Sequence, residues 1–267
     1  MGFLCRLDRR DLLRAFCAAL LAWTLPAQAQ DRPRASIGSG FVVSAQGHVV
    51  TALHVIKDRQ EVLVGPIAER RWASAKVVHT DAARDLALLE VRLAREPLPI
   101  ADWSQVPIGL EAIVIGYPQP TLSDLRKKVT QGVVNGERRR PSGPASFQLS
   151  AEVHKGNSGG PVFAPDGTVI GVVLQKQNAL AVAEKTQDLP QNVNYALRSD
   201  ELQAFLEVAG LQVNPRAPDL SVLPRTYLLY RKVEASVVAV IARDPPKAVA
   251  RDESGSTEEP RSAARPD

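Results

Sequence analysis

The chain has 267 residues, 45% hydrophobic and 23% charged, enough for one large β domain or two small ones and too apolar for wholesale disorder. Its 33 Lys and Arg against 29 Asp and Glu leave a net charge of +4, and the arginines are scattered rather than interleaved with aromatics, which argues against nucleic acid as a partner. Both cysteines, Cys5 and Cys17, lie in the first thirty residues, so the rest of the chain has neither a disulfide nor a thiolate metal site.

Residues 1–29 are predicted to be a secretory signal peptide. Four arginines and two aspartates lead into “AFCAALLAWTL” (15–25), an apolar run too short to span a bilayer comfortably. “AQA” (27–29) then places small residues at positions −3 and −1 of a cleavage site after Ala29. “RRDLLR” (9–14) also fits a twin-arginine signal, so the export route stays open between that and the general secretory pathway. Cleavage would leave 29 basic and 27 acidic residues, no cysteine and no membrane anchor. An exported chain without disulfides must hold itself by its core.

From Ile37 to Arg198 the pattern is one of short strands: “GSGFVVS”, “HVVTA”, “EVLVG”, “ASAKVVH”, “LALLEV”, “EAIVIGY”, “KVTQGVVNG”, “SFQLSA”, “PVFA”, “TVIGVVLQ” and “NVNYAL”. Turn residues such as Gln46-Gly47, Gly143-Pro144 and Asp166-Gly167 separate them, which predicts a β-barrel or sandwich. “LPIADWSQVPIG” (98–109), with its prolines, reads as the crossover between two halves. The first clear helix is “SDELQAFLEVAG” (199–210), with Ser199 as candidate N-cap and Gly210 as C-cap. After Pro215, “TYLLYRKVEASVVAVIAR” (226–243) is apolar but interrupted by charges, and 244–267 reads as a disordered tail.

The stretch most specific for chemistry is “KGNSGGPVF” (155–163). GNSGG arises by chance on the order of once per million positions, so an incidental glycine turn is the weaker reading. A nucleophilic serine needs a tight turn whose backbone N–H groups converge on the oxyanion formed when it attacks a carbonyl, and glycines permit the backbone angles. Its hydroxyl also needs a base, and the base an orienting acid. His48 follows a turn and is expected to face solvent, His79 ends a strand, and His154 precedes Ser158 by four residues. His54, directly after the apolar strand of “VVTALHVI”, would be held rigidly at a barrel edge; position alone leaves it open between base and structural histidine. Asp85 heads “DLALL” (85–89), a run that reads as buried on both faces, which a carboxylate joins only if a partner compensates its charge.

“GSGFVVSAQGHVVTALHVI”, “DAARDLALLEV” and “KGNSGGPVF”, in that order, resemble the trypsin-like serine proteases, most closely the HtrA/Deg-like branch, over about residues 37–206. The resemblance implies an all-β fold of two six-stranded antiparallel barrels: 30–105 carrying His54 and Asp85, 106–198 carrying Ser158, and a closing helix at 199–214. It implies His54, Asp85 and Ser158 as the triad, with the N–H groups of Gly156 and Ser158 as oxyanion hole. Asp81 would be a turn cap. “GVVLQKQ” (171–177), including Val173, Leu174 and Gln175, would pair with the substrate backbone. Glu152 and Val153 align with the primary specificity pocket, where Glu152 would favour Lys or Arg, unless it points to solvent or pairs with Lys155. No cofactor or metal is implied, the partner is a polypeptide substrate, and the location is the bacterial periplasm or beyond. A monomer is expected, with an oligomer left open.

The chain departs from this family twice. Relatives usually carry a PDZ domain after the protease, for which the residues after Gly210 are too few. Relatives also begin with an “SVVxI” strand ahead of GSGF, whereas here only “QDRPRAS” precedes Ile37. “VEASVVAVIARD” (233–244) reads like that missing strand, so the segment 215–243 is expected to fold back into the open edge of the first barrel, against the alternative of a surface helix. The expected function is an exported serine endopeptidase working through an acyl-enzyme; the competing reading is an inactive or latent homologue that binds extended peptides. An esterase with the same triad is disfavoured, because GxSxG on a strand-to-helix turn is missing.

Overall fold

The structure is a computed structural model that describes residues 35–65, 71–118, 125–138, 143–174 and 193–245. The expected signal peptide, Gln175 and the tail beyond residue 245 lie outside these residues. In chain order the strands of the first half are β1 (Ser36–Val42), β2 (His48–Ala52), β3 (Glu61–Gly65), β4 (Ala73–Ser74), β5 (Lys76–Asp81) and β6 (Leu86–Glu90). The second half contributes β7 (Glu111–Gly116), β8 (Lys128–Arg138), β9 (Ser146–Leu149), β10 (Pro161–Phe163), β11 (Val169–Val173) and β12 (Asn194–Arg198), and β13 (Val237–Arg243) comes last. The helices are α1 (Leu53–Ile56), α2 (Ser199–Val208) and α3 (Thr226–Val233).

Strands β7 to β12 close into a six-stranded antiparallel barrel in the order β10-β11-β12-β9-β8-β7. The other sheet has seven strands, in the order β4-β3-β13-β1-β2-β6-β5. Its end strands β4 and β5 are separated only by Ala75, so one bent stretch of chain pairs with β3 on one side and β6 on the other. This accounts for seven strands where six were expected: the kink at Ala75 divides one of them.

The strand between β1 and β3 comes from late in the chain. β13 lies antiparallel between β1 and β3, from Val237 opposite Phe41 to Ala242 opposite Ser36, and from Ala239 opposite Gly65 to Arg243 opposite Glu61. Both alternatives for the apolar stretch 226–243 therefore hold in part, since residues 226–233 form α3 and residues 237–243 form β13, with a 3₁₀ turn Glu234–Ser236 between them.

Alternation along the strands feeds separate apolar layers. In β6, Leu86 and Leu88 pack with Phe41, Ile113, Ile115, Phe163 and Phe205 between the two sheets, whereas Ala87 and Leu89 pack with Val42, Val49, Val64 and Val240 inside the first. In β7, Ile113 and Ile115 face the shared layer, while Ala112 and Val114 face Phe147, Leu149 and Ile170 inside the second barrel. A strand serving two cores reads as a continuous apolar run, which explains “LALL” and “AIVI”.

The ends of α2 differ in how far they follow expectation. Ser199 is the first helical residue rather than the cap; Arg198 precedes it without a side-chain cap, and the buried Ser199 hydroxyl has no hydrogen-bond partner among the described residues. The C-terminus ends as expected, with Gly210 at φ 81° donating to Glu207 O and Leu211 donating to Leu206 O, the 5→2 and 6→1 bonds of a Schellman motif.

Candidate active site

The end of β2 pairs with the start of β6, Ala52 opposite Leu86, and this register brings the turn after β2 against the residue before β6. Leu53 N–H donates to Asp85 O at 2.9 Å, His54 N–H donates to Asp85 Oδ1 at 2.9 Å, and His54 Nδ1 lies 2.6 Å from Asp85 Oδ2. A carboxylate only accepts, so Nδ1 carries the ring proton and Nε2 is left as the acceptor, facing away from Asp85. Each of the two side chains is 32% exposed, open enough for a reactant to reach. Asp85 has φ 55°, a left-handed conformation that Asp adopts more readily than most residues.

The chain leading to Asp85 is fixed by a separate network. Asp81 Oδ1 accepts from the N–H groups of Ala83 and Arg84, and Asp81 Oδ2 accepts from Arg84 Nη1, so Asp81 caps the turn as expected. Burial alone would raise the Asp81 pKa, but the hydrogen bonds from Arg84 and Ala83 outweigh it and hold the carboxyl below its ordinary value. Arg84 Nε reaches Glu201 Oε2 on α2 at 2.8 Å, and Glu201 Oε1 accepts from Ala145 N–H.

Ser158 lies on the loop between β9 and β10 and is buried. Its carbonyl accepts from Ser39 N–H on β1 at 2.9 Å. The next residue, Gly159, has φ 81°, and a Cβ there would lie 2.3 Å from Ala52 N and 2.7 Å from Thr51 Oγ1. The Ser158 loop is thus pressed, backbone to backbone, on the strand end that leads to His54, and only glycine allows that approach. Gly159 N–H donates to Val173 O and Val173 N–H donates to Gly160 O, which ties the loop to β11. Gly156 has φ 96° in a turn closed by Asn157 N–H donating to His154 O at 3.0 Å.

The residues expected around the substrate are placed unevenly. Val153 is buried in the second barrel's core with Trp103 and Val162, and Val173 is buried with both backbone groups bonded to the loop that carries Ser158. Leu174 is half-buried and donates its N–H to Tyr195 O. Glu152 is exposed and pairs with His154 Nε2 at 2.7 Å rather than with Lys155. His48 is half-buried, with Nδ1 2.7 Å from Ser44 Oγ, and His79 lies within β5 with its ring 5.2 Å from that of Phe205, so neither takes part in the site. Sequence reasoning missed Ser39 and Thr51, fully buried polar residues in apolar strands whose only signal was that polarity.

A family model described as “Trypsin-like peptidase domain” matches residues 38–172. A protein of Sinorhizobium fredii named “Uncharacterized protein y4bJ” is 38% identical over 186 residues, 70% of this chain and 29% of that one. “Protease Do-like 1, chloroplastic” of Arabidopsis thaliana is 34% identical over 51% of this chain and 32% of its own length. A “Probable periplasmic serine endoprotease DegP-like” of Pseudomonas putida is 33% identical over 55% and 30%. The chain spans about a third of the length of the curated relatives it matches. Among solved structures, “HtrA-type protease AlgW with decapeptide” superposes with a TM-score of 0.55 at 22% identity, covering 67% of this chain and 53% of that one. The serine endoprotease from Yersinia pestis gives 0.53 at 26%, covering 64% and 57%.

Proposed function

Because the chain belongs to the trypsin-like peptidase family, on its HtrA/Deg-like branch, we propose that it is an exported serine endopeptidase with His54, Asp85 and Ser158 as its triad. The observation that carries this reading is the double engagement of Asp85 with His54, at the backbone N–H and at Nδ1, beside a glycine-framed Ser158. Ser158 Oγ attacks the carbonyl carbon of the scissile peptide while His54 Nε2 takes its proton. Asp85 holds the tautomer that leaves Nε2 free and stabilises the imidazolium. The oxyanion is received by the N–H groups of Gly156 and Ser158, and His54 returns the proton to the leaving amine as the C–N bond breaks. Water, activated by the same imidazole, then hydrolyses the acyl-enzyme.

The substrate is a polypeptide paired as an added strand, to which neither the backbone groups of Val173, bonded to the loop that carries Ser158, nor the Leu174 N–H, bonded to Tyr195 O, is free to contribute. Glu152 would select Lys or Arg in the substrate, a cation that must displace His154 from its carboxylate. Export to the periplasm follows from the signal-like residues 1–29 and agrees with the name of the Pseudomonas relative.

The test is labelling of the purified protein with a fluorophosphonate, which reacts with an activated serine. Labelling of the wild type that disappears in Ser158→Ala supports the reading, and absence of labelling in the wild type overturns it in favour of a peptide-binding homologue. For specificity, peptides with Lys or Arg before the cut are expected to be cleaved faster than neutral ones, and Glu152→Gln to erase the difference.

A further inference from the structure

Ser39 is fully buried in β1, and each of its polar groups is committed. Its hydroxyl donates to Gly156 O at 2.7 Å and accepts from Tyr117 N–H at 2.9 Å. Its own N–H donates to Ser158 O at 2.9 Å, and its carbonyl accepts from Thr51 Oγ1 at 2.8 Å. Ser39 therefore fastens both ends of the Gly156–Asn157–Ser158 segment, Gly156 through its hydroxyl and Ser158 through its backbone N–H, and the hydroxyl also joins the segment to Tyr117, just beyond β7. The room for it comes from glycines: a Cβ on Gly116 would lie 2.8 Å from Ser39 Oγ, and one on Gly160 3.0 Å from Ser39 Cβ.

The place of the segment that carries the Gly156 and Ser158 N–H groups depends on this fastening. The turn His154–Asn157, with φ 96° at its third residue and an i→i+3 bond, has the signature of type II. A type I turn keeps the same closing bond but rotates the Lys155–Gly156 peptide by half a turn, which reverses the Gly156 N–H. Glycine tolerates both, so its own conformational preference does not choose between them. The closing N–H and the Gly156 carbonyl belong to the Gly156–Asn157 peptide, which keeps its orientation in both forms, and the Ser39 hydroxyl fixes where that peptide sits.

We propose that Ser39 is a positioning residue for the oxyanion-binding groups: its buried hydroxyl, bonded to the Tyr117 N–H and the Gly156 carbonyl, holds in place the Gly156–Asn157–Ser158 segment whose Gly156 and Ser158 N–H groups receive the oxyanion. This rests on the serine endopeptidase reading above. Ser39 touches no substrate and acts through the loop. Removing the hydroxyl leaves the Gly156 carbonyl without its donor and loosens the segment that carries both N–H groups.

The experiment is Ser39→Ala in the full chain, compared with wild type on a cleavable peptide, a non-cleavable peptide and a peptidyl aldehyde, whose adduct with Ser158 carries an oxyanion. The expected kcat falls about tenfold, one hydrogen bond's worth, against about 10²–10³ for direct loss of an oxyanion donor. KM and the affinity for the non-cleavable peptide stay within about twofold, while aldehyde affinity falls in step with kcat. Hydrogen exchange in 154–160 speeds up and that in 36–42 does not. If Ser39→Ala does not fold, Ser39→Cys, which fills nearly the same space with a weaker donor, is measured in the same way. Unchanged kcat and aldehyde affinity in an active enzyme overturn the proposal. A wild type that neither cuts nor labels overturns the endopeptidase reading instead, and the exchange measurement still decides Ser39: rates in 154–160 unaffected by the substitution overturn it.

Discussion

At the residue scale, Asp85 has two roles that substitution can separate. Its carboxylate oxygens divide between the backbone and the ring of His54, and its φ of 55° asks for a side chain that accepts the left-handed region. Asn satisfies the backbone requirement and still offers an oxygen to one of the donors, but its amide cannot enforce the Nδ1-protonated tautomer. Asp85→Asn is therefore expected to lower kcat by about 10⁴ while shifting the melting temperature by only about 2–4 °C, read by peptide hydrolysis and thermal unfolding. Equal losses of activity and stability would contradict this separation. A second residue acts one step further out. Glu201 receives Arg84 Nε and Ala145 N–H, so Glu201→Ala strands a donor at each, and chemical denaturation should show a loss of about 1–3 kcal/mol. The triad candidates were legible because nucleophilic catalysis demands particular residue types in particular turns. Ser39 and Thr51 were not, because a buried hydroxyl in an apolar strand shows its purpose only when its acceptors, 117 and 12 residues away, are in place. Likewise Glu152 found His154 rather than Lys155, a choice between near neighbours that spacing alone does not make.

At the element scale, β13 is the least local feature of the fold. Its residues Val237 to Ala242 are buried on both faces and hydrogen-bond to β1 on one side and β3 on the other, although some 190 residues separate it from β1 in the chain. Its apolar run was readable in the sequence, and its likeness to a barrel strand pointed to the first sheet. Where helix gives way to strand was not, because “TYLLYRKV” and “VVAVIAR” are both apolar; the break falls where Glu234–Ser236 turn the chain. Without β13, both β1 and β3 present unpaired edges with apolar faces. A chain ending before Thr226 is expected to aggregate or to unfold at far lower denaturant, and a peptide of residues 226–245 added in trans to restore solubility. A truncated chain as soluble and stable as the full one would show that β1 and β3 do not need this partner.

At the scale of the whole molecule, the apolar layer between the sheets also receives Leu229 and Val233 of α3, so the C-terminal segment is built into both halves. Its polar counterpart is Lys127. The Nζ of this largely buried lysine donates to Glu234 O at the end of α3 and lies 5.6 Å from the centre of the Tyr117 ring. Burial lowers its pKa from 10.5 to about 8, with nearby Arg95 adding to the shift and Glu234 opposing it. The sign of the pH dependence follows. Between about pH 8 and 10.5 the unfolded chain holds a proton that the folded chain has released, so stability rises with pH across that window, and below it the cost of burying the charge persists in full. A shift of this size corresponds to on the order of 3 kcal/mol. Tyr117 works in the opposite sense, since burial raises its pKa and keeps it neutral when folded, but its contribution begins only near pH 10, where the unfolded tyrosine ionises. The stability of wild type relative to Lys127→Met, measured by denaturant unfolding from pH 7 to 10, is therefore expected to climb, the substituted protein being the more stable at pH 7 and the two converging towards pH 10. A difference that stays flat would mean that Lys127 keeps its proton in the folded protein, and that the junction between α3 and the second barrel tolerates the charge without cost.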